Sequence, residues 1–221
     1  MLSSKLSLVA LATALAFTGA SAYADTLNLG TSVGSFTFKI NGQTETAGGG
    51  NFVGSSAVIG GKTVDFSAVY CVDLFDSISN GHSYNATFNP NGVVNGSAVN
   101  NAAEIAWLIL NTTVTTTEQS EGLQAAIWEV EYGTHFSLVT GGLVASAETA
   151  DLAALGNNTG SIGSLEWISS TQGSGRDQDQ LQGLVGLPND PPPPVPEPAT
   201  LSLFGTGILG LAGLVRRRLT A

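Results

Sequence analysis

Basic residues are scarce, and that scarcity excludes more than any motif does. Between Asp25 and Val195 there are only Lys39, Lys62 and Arg176, against sixteen acidic residues. A domain with a net charge near minus thirteen repels phosphate backbones and anionic lipid, so nucleic-acid binding is excluded on electrostatic grounds. The charge is read as a solubilising one, suited to life outside the cell. Histidine is nearly absent too: His82 and His135 are too few and too far apart to make a metal site. Asp73 and Asp76 lack the loop of alternating oxygen ligands that calcium requires and read as capping or solvated carboxylates. Neither metal nor other cofactor is expected. Cysteine occurs once, at Cys71, so an intramolecular disulfide is impossible. In an oxidising compartment a lone thiol must be buried, bonded to another molecule or used chemically.

What is present begins with two targeting segments. Lys5 precedes an apolar run from Leu6 to Phe17, and Ala22-Tyr23-Ala24 fits the small-x-small pattern read by signal peptidase. Residues 1–24 are therefore expected to be a cleaved signal peptide. At the other end Pro191 to Pro194 and Val195-Pro196-Glu197-Pro198 form a stiff spacer that can hold neither helix nor sheet. Ala199 to Val215 are uncharged and mostly apolar, long enough at the helical rise to span a hydrocarbon core. Arg216, Arg217 and Arg218 then fix that end on the cytoplasmic side, placing the domain outside. The expected organisation is a signal peptide at 1–24, a domain at 25–187, a Pro-rich linker at 188–198 and a transmembrane sorting helix with its basic tail at 199–218.

The roughly 160 residues between these segments suffice for one domain with a core. Abundant Gly, Ser, Thr and Asn with sparse charge favour β structure. Leu27 to Ile40 read as one strand and Gln43 to Gly50 as a loop. Phe52 to Ile59 and Lys62 to Leu74 read as a hairpin around Gly60-Gly61. Alternation puts Val64, Phe66, Ala68, Tyr70 and Val72 on one face and Cys71 on the other. Ser83 to Phe88 is a further strand and Asn89 to Gly96 a loop. Helical spacing then marks Asn100 to Leu110. A second helix follows, capped by Thr115 with Glu118, with Leu123, Ala126, Ile127 and Val130 as its apolar stripe and Gln124 and Trp128 on its flank. Phe136 to Val139 suggest a strand, Leu143 to Leu155 a third helix, and Leu165 to Ile168 with Gln180 to Val185 the closing strands. The fold class is α+β: a mainly antiparallel, barrel-like sheet domain with an insertion of two to three helices, plus the C-terminal transmembrane helix.

Two stretches stand out together. Tyr70-Cys71-Val72-Asp73-Leu74 ends a strand; Leu123-Gln124-Ala125-Ala126-Ile127-Trp128 lies in a helix that Ala103-Glu104-Ile105-Ala106-Trp107-Leu108 precedes. In order and spacing the pair resembles the thioester domains of bacterial surface adhesins, over about Val69 to Gly133. One departure is Leu123, where that family commonly has threonine before its glutamine. The resemblance implies that Cys71 and Gln124 join in an internal thioester, with Tyr70 and Trp128 as pocket walls. A thiolate is the best available nucleophile, and a side-chain amide yields an acyl group by losing ammonia. The fold would have to supply proximity, dryness and an oxyanion donor. The stored bond would acylate an amine-bearing surface or matrix partner once, making the domain a covalent harpoon and not an enzyme.

The tail carries a second resemblance. Val195-Pro196-Glu197-Pro198-Ala199-Thr200, the apolar span and the arginine cluster look like the PEP-CTERM sorting signal. It implies processing by an exosortase, after signal peptidase, in a Gram-negative bacterium. Transient membrane anchoring would be followed by release to the cell surface or extracellular matrix. A passive matrix protein without the bond is the alternative function. A cysteine hydrolase using His82 or His135 is the weakest reading, because Cys71 lies on a strand and not at a helix N-terminus. Glu129 and Glu131, two apart on a helix, face different ways and do not form a paired acid–base site.

Overall fold

A computed structural model describes residues 25–75, 78–173 and 182–190. The expected signal peptide, PEP motif and transmembrane helix lie outside the described residues. Among those described, no helix is long and apolar enough to cross a membrane.

Six strands close into an antiparallel barrel: β1 (Thr26–Asn28), β4 (Ser56–Ile59), β5 (Lys62–Cys71), β11 (Gln182–Pro188), β10 (Glu166–Gly173) and β6 (Ser83–Asn89), in that order. Three-residue β1 completes the ring by pairing with β4 on one side and β6 on the other. Closure removes the exposed edges that so sheet-rich a chain would otherwise present. Beside the barrel lies a sheet of β3 (Gln43–Val53), β2 (Thr31–Ile40) and β9 (Phe136–Leu138). A small hairpin joins β7 (Val93–Val94), which falls within the expected loop, to β8 (Ser97–Ala98) just beyond it. Three helices, α1 (Ala102–Asn111), α2 (Thr117–Tyr132) and α3 (Leu143–Leu155), are inserted before the closing strands. The α+β class, the barrel-like sheet and the helical insertion agree with expectation.

Four local expectations are corrected. The stretch from Leu27 to Ile40 is two strands, because the chain leaves the barrel at Gly30 and enters the second sheet. A Cβ there would collide with the Val53 carbonyl, and the Gly30 N–H is held by Ser55 Oγ at 3.0 Å. Gln43 to Gly50 is strand and not loop. Asn41 and Gly42, both at positive φ, turn the chain so that Ile40 faces Gln43, and the paired backbone of β2 overrides the polar composition. The cap of α2 is Thr116 with Gln119, one residue beyond the expected pair.

The fourth correction bears on the site. Val64 and Phe66 share a core cluster with Val69 and Cys71, whereas Tyr70 and Val72 belong to the other cluster. The β5–β11 register slips between Leu187, opposite Ala68, and Pro188, opposite Phe66. That bulge inserts one residue at Ser67 and exchanges the faces of everything after it.

The two clusters meet at α2. One joins Leu27, Phe66, Val69, Cys71, Ile168 and Leu184 of the barrel to Phe36, Phe38 and Phe52 of the second sheet, and takes Ala125 and Trp128 from α2. The other joins Tyr70, Val72, Trp167 and Val185 to Ile105 and Leu108 of α1, and takes Leu123, Ala126 and Ile127 from α2. Every residue from Ser120 to Trp128 is consequently buried. Gln124 and Trp128, on the flank of the apolar stripe, are thus inside the molecule.

Candidate functional site around Cys71 and Gln124

β5 ends at Cys71, which stands opposite Leu184 of β11. Gln124, 1% exposed, approaches it from α2. The glutamine amide and the cysteine backbone bond reciprocally. The Cys71 N–H donates to Gln124 Oε1 at 3.0 Å, and Gln124 Nε2 donates to the Cys71 carbonyl at 2.7 Å. A buried primary amide costs several kcal/mol without partners, so this pair fixes where the side chain sits. The structure therefore brings together two of the residues singled out by their motifs, 53 positions apart in the chain.

The segment after Cys71 is clamped. The N–H groups of Val72 and Asp73 both reach the Gly183 carbonyl, at 3.0 and 3.2 Å. The Tyr132 hydroxyl accepts from the Leu74 N–H and donates to the Val72 carbonyl, at 3.1 and 3.2 Å. The Cys71 thiol donates to the Asp73 carbonyl at 2.8 Å. The Asp73 carboxylate accepts from the Phe75 N–H at 3.0 Å and from Asn95 Nδ2 at 3.3 Å, the capping role expected of it.

The two proposed wall residues fall on different sides. Trp128 lies in the cluster that contains Cys71, packed among Phe36, Phe38 and Phe136 with ring centroids 5.2–6.0 Å away. Its indole N–H is buried without a hydrogen-bond partner. Tyr70 projects from the other face of β5 towards Ser120, where burial pushes its phenol up to about 12 despite the hydrogen bond to that serine. Backbone alternation at the strand end is the reason: adjacent residues point oppositely.

His82 and His135 are exposed while Cys71 is buried, and His135 Nδ1 lies 2.9 Å from Asn41 Oδ1. No group of three or more metal-binding side chains occurs among the described residues.

Carboxylate pairs that sequence reasoning missed arise across elements. Glu129 faces Glu148 of α3; burial first, then the charge and hydrogen bond of Glu129, push Glu148 up to about 7. Glu131 faces Asp73; burial first, then that carboxylate's charge, push it up to about 8. Asp151 rises to about 6 through burial, opposed by a hydrogen bond from Thr112. Glu129 and Glu131 do face different ways, as their spacing requires, and each meets an acid from elsewhere in the fold. Glu131 was findable: seven positions after Gln124, it returns to nearly the same face of the helix.

These raised values predict a pH dependence of stability. The folded state keeps protons that the unfolded chain releases, so the stability these groups contribute is fully present below about pH 4 and is lost as pH rises through about 8. Denaturant midpoints should be higher at pH 5 than at pH 8.5, and Glu148→Gln should flatten the difference; a midpoint that rises with pH would contradict the assignment.

A small cavity of about 210 Å³ opens beside the Cys71 strand end, lined by Val72, Asp73, Phe75, Val94, Glu131 and Tyr132 among others.

Comparison with curated proteins and with solved structures finds no match, so the thioester-domain resemblance rests on its motifs alone. A family model described as the PEP-CTERM protein-sorting motif matches residues 194–218, covering Pro196, Glu197, Pro198 and the three arginines. The chain carries the signal of an exported protein, anchored transiently in the membrane by its C-terminal segment and processed by an exosortase.

Proposed function

We propose that the exported domain stores an internal thioester between Cys71 and Gln124 and spends it on an amine-bearing partner at the cell surface or in the matrix. The observation that carries this reading is the buried, reciprocal pairing of the Gln124 amide with the backbone of the chain's sole cysteine. The Cys71 N–H already donates to the oxygen that would become the oxyanion, which is the electrostatic help that acylation by a poor electrophile needs. Attack of the sulfur on Gln124 Cδ would form the C–S bond. Collapse would break the C–N bond, with the thiol proton leaving on nitrogen as ammonia.

The second reading, a passive surface or matrix protein, is favoured by the same pair seen differently. The amide satisfies both backbone polar groups of Cys71, as a structural glutamine would. Intact mass separates the two. The exported protein should weigh one ammonia less than the same preparation of Cys71→Ser, corrected for the oxygen-for-sulfur change, and should gain one methylamine on treatment with that amine. An unmodified mass, with Cys71 taking up an alkylating reagent once the protein is denatured, would leave the passive reading.

A further inference from the structure

We infer that Asn51 is the positioning residue of the Cys71–Gln124 pair, its side-chain amide holding the bulged edge of β5 so that Cys71 meets Gln124. The inference concerns the pair itself, and only its ammonia-loss readout rests on the thioester reading. β4 pairs with β5 as far as Ser56, opposite Asp65, and the Phe66 N–H then reaches the Ser55 carbonyl at 3.1 Å. Beyond that point two side-chain amides take over the same edge. Asn51 Oδ1 accepts from the Val69 N–H at 2.8 Å, and Asn51 Nδ2 donates to the Ser67 carbonyl at 3.3 Å. Gln124 then serves both backbone polar groups of Cys71. Each amide carries a donor and an acceptor in one plane, so each offers what a neighbouring strand would offer.

The bulge and the two amides require each other. In a regular strand alternate residues turn their polar groups to the same edge, so Phe66 would be followed there by Ala68, Tyr70 and Val72. The extra residue at Ser67 puts Ser67, Val69 and Cys71 there instead, and these are the three that Asn51 and Gln124 bind. Slipping back by one residue would turn the Cys71 N–H and carbonyl away from Gln124 and move its thiol to the other face.

Asn51 is in turn fixed by α2. Its N–H donates to Ser120 Oγ at 2.7 Å, and Ser120 lies one turn before Gln124 on that helix. Four residues of helix rise about 6 Å and two of strand about 6.7 Å, so Ser120 and Gln124 keep step with Val69 and Cys71. Gly50 permits the approach: it sits at positive φ, and a Cβ there would press on Ser120 Oγ at 2.8 Å.

The test uses the exported protein, wild type, Asn51→Leu and Asn51→Asp, read by intact mass and by amide hydrogen exchange corrected for intrinsic rates. Asn51→Leu keeps the bulk of the side chain and loses both of its bonds. Its ammonia loss after refolding should slow about tenfold. Its Val69 and Cys71 amides should exchange about 100-fold faster, while those of α1 change less than about fivefold. A merely destabilised domain would lose protection everywhere by one factor, and that result overturns the inference. Asn51→Asp should match wild type at about pH 4, where a protonated carboxyl still donates to the Ser67 carbonyl, and should resemble Asn51→Leu at about pH 7. That variant decides the matter even where Asn51→Leu does not fold. Wild-type protection of Val69 and Cys71 in Asn51→Leu, or in Asn51→Asp at about pH 7, overturns the inference and leaves the thioester standing. Selective loss of that protection, with no ammonia loss in the wild type, overturns the thioester reading and leaves the inference.

Discussion

Gln124→Ala is expected to abolish covalent capture of amines entirely and to lower stability at the same time. Capture fails because no acyl carbon remains. Stability falls because the Cys71 N–H and carbonyl lose their partners in a buried site. Each unsatisfied group costs about 1–3 kcal/mol. The bonded form loses a further contribution. A thioester closing the 53-residue separation between Cys71 and Gln124 removes about 4 kcal/mol of unfolded-chain entropy by the loop-closure argument. Methylamine isolates that second part, since it opens the bond but leaves a substituted amide at Gln124. Wild-type protein should therefore lose stability on methylamine treatment, by less than it loses in Gln124→Ala. Denaturant titration of the three samples measures all of this. Indifference of wild type to methylamine, in both mass and midpoint, would mean that the pair is only a hydrogen-bonded one.

Trp128→Ala should produce the largest purely structural loss. Trp128 is 2% exposed and is the piece that α2 contributes to the aromatic packing of Phe36, Phe38 and Phe136. Truncating so large a buried side chain costs about 3–5 kcal/mol, a substantial share of a domain's net stability. Trp128→Phe should cost far less. It keeps ring contact and removes an indole N–H that is buried without a partner, so no hydrogen bond is lost. Thermal or denaturant unfolding gives the comparison directly. If both variants lost equal stability, the indole nitrogen would have to be doing something that the structure does not display. Because Trp128 lies one turn from Gln124, the alanine variant should also slow thioester formation, through loosened positioning of α2.

Much of this was legible in the linear chain, for identifiable reasons. The sorting segment was readable because its signals are local: a Pro-rich motif, an apolar run and an arginine cluster in fixed order. Leu143–Leu155 was readable as a helix, and the β4–β5 hairpin from Gly60-Gly61, which both adopt positive φ. β3 was not readable, since Gln43 to Gly50 carries no apolar alternation and is ordered by pairing with β2. The bulge at Ser67 was invisible as well, because it comes from the register of β5 against β11, 120 residues away.

The site divides in the same manner. Sequence by itself singled out the residues to compare, a sole cysteine ending a strand and a glutamine in a helix, and determined a charge balance that repels phosphate backbones. Only tertiary structure decided that Gln124 meets the Cys71 backbone, that Tyr70 and Trp128 are separated by β5, and that Glu131 and Asp73 share a cavity. The physical reason is burial on two sides. Helix α2 lies between two apolar clusters, so its polar residues are placed by whatever backbone or carboxylate the neighbouring elements present, and no local pattern encodes that.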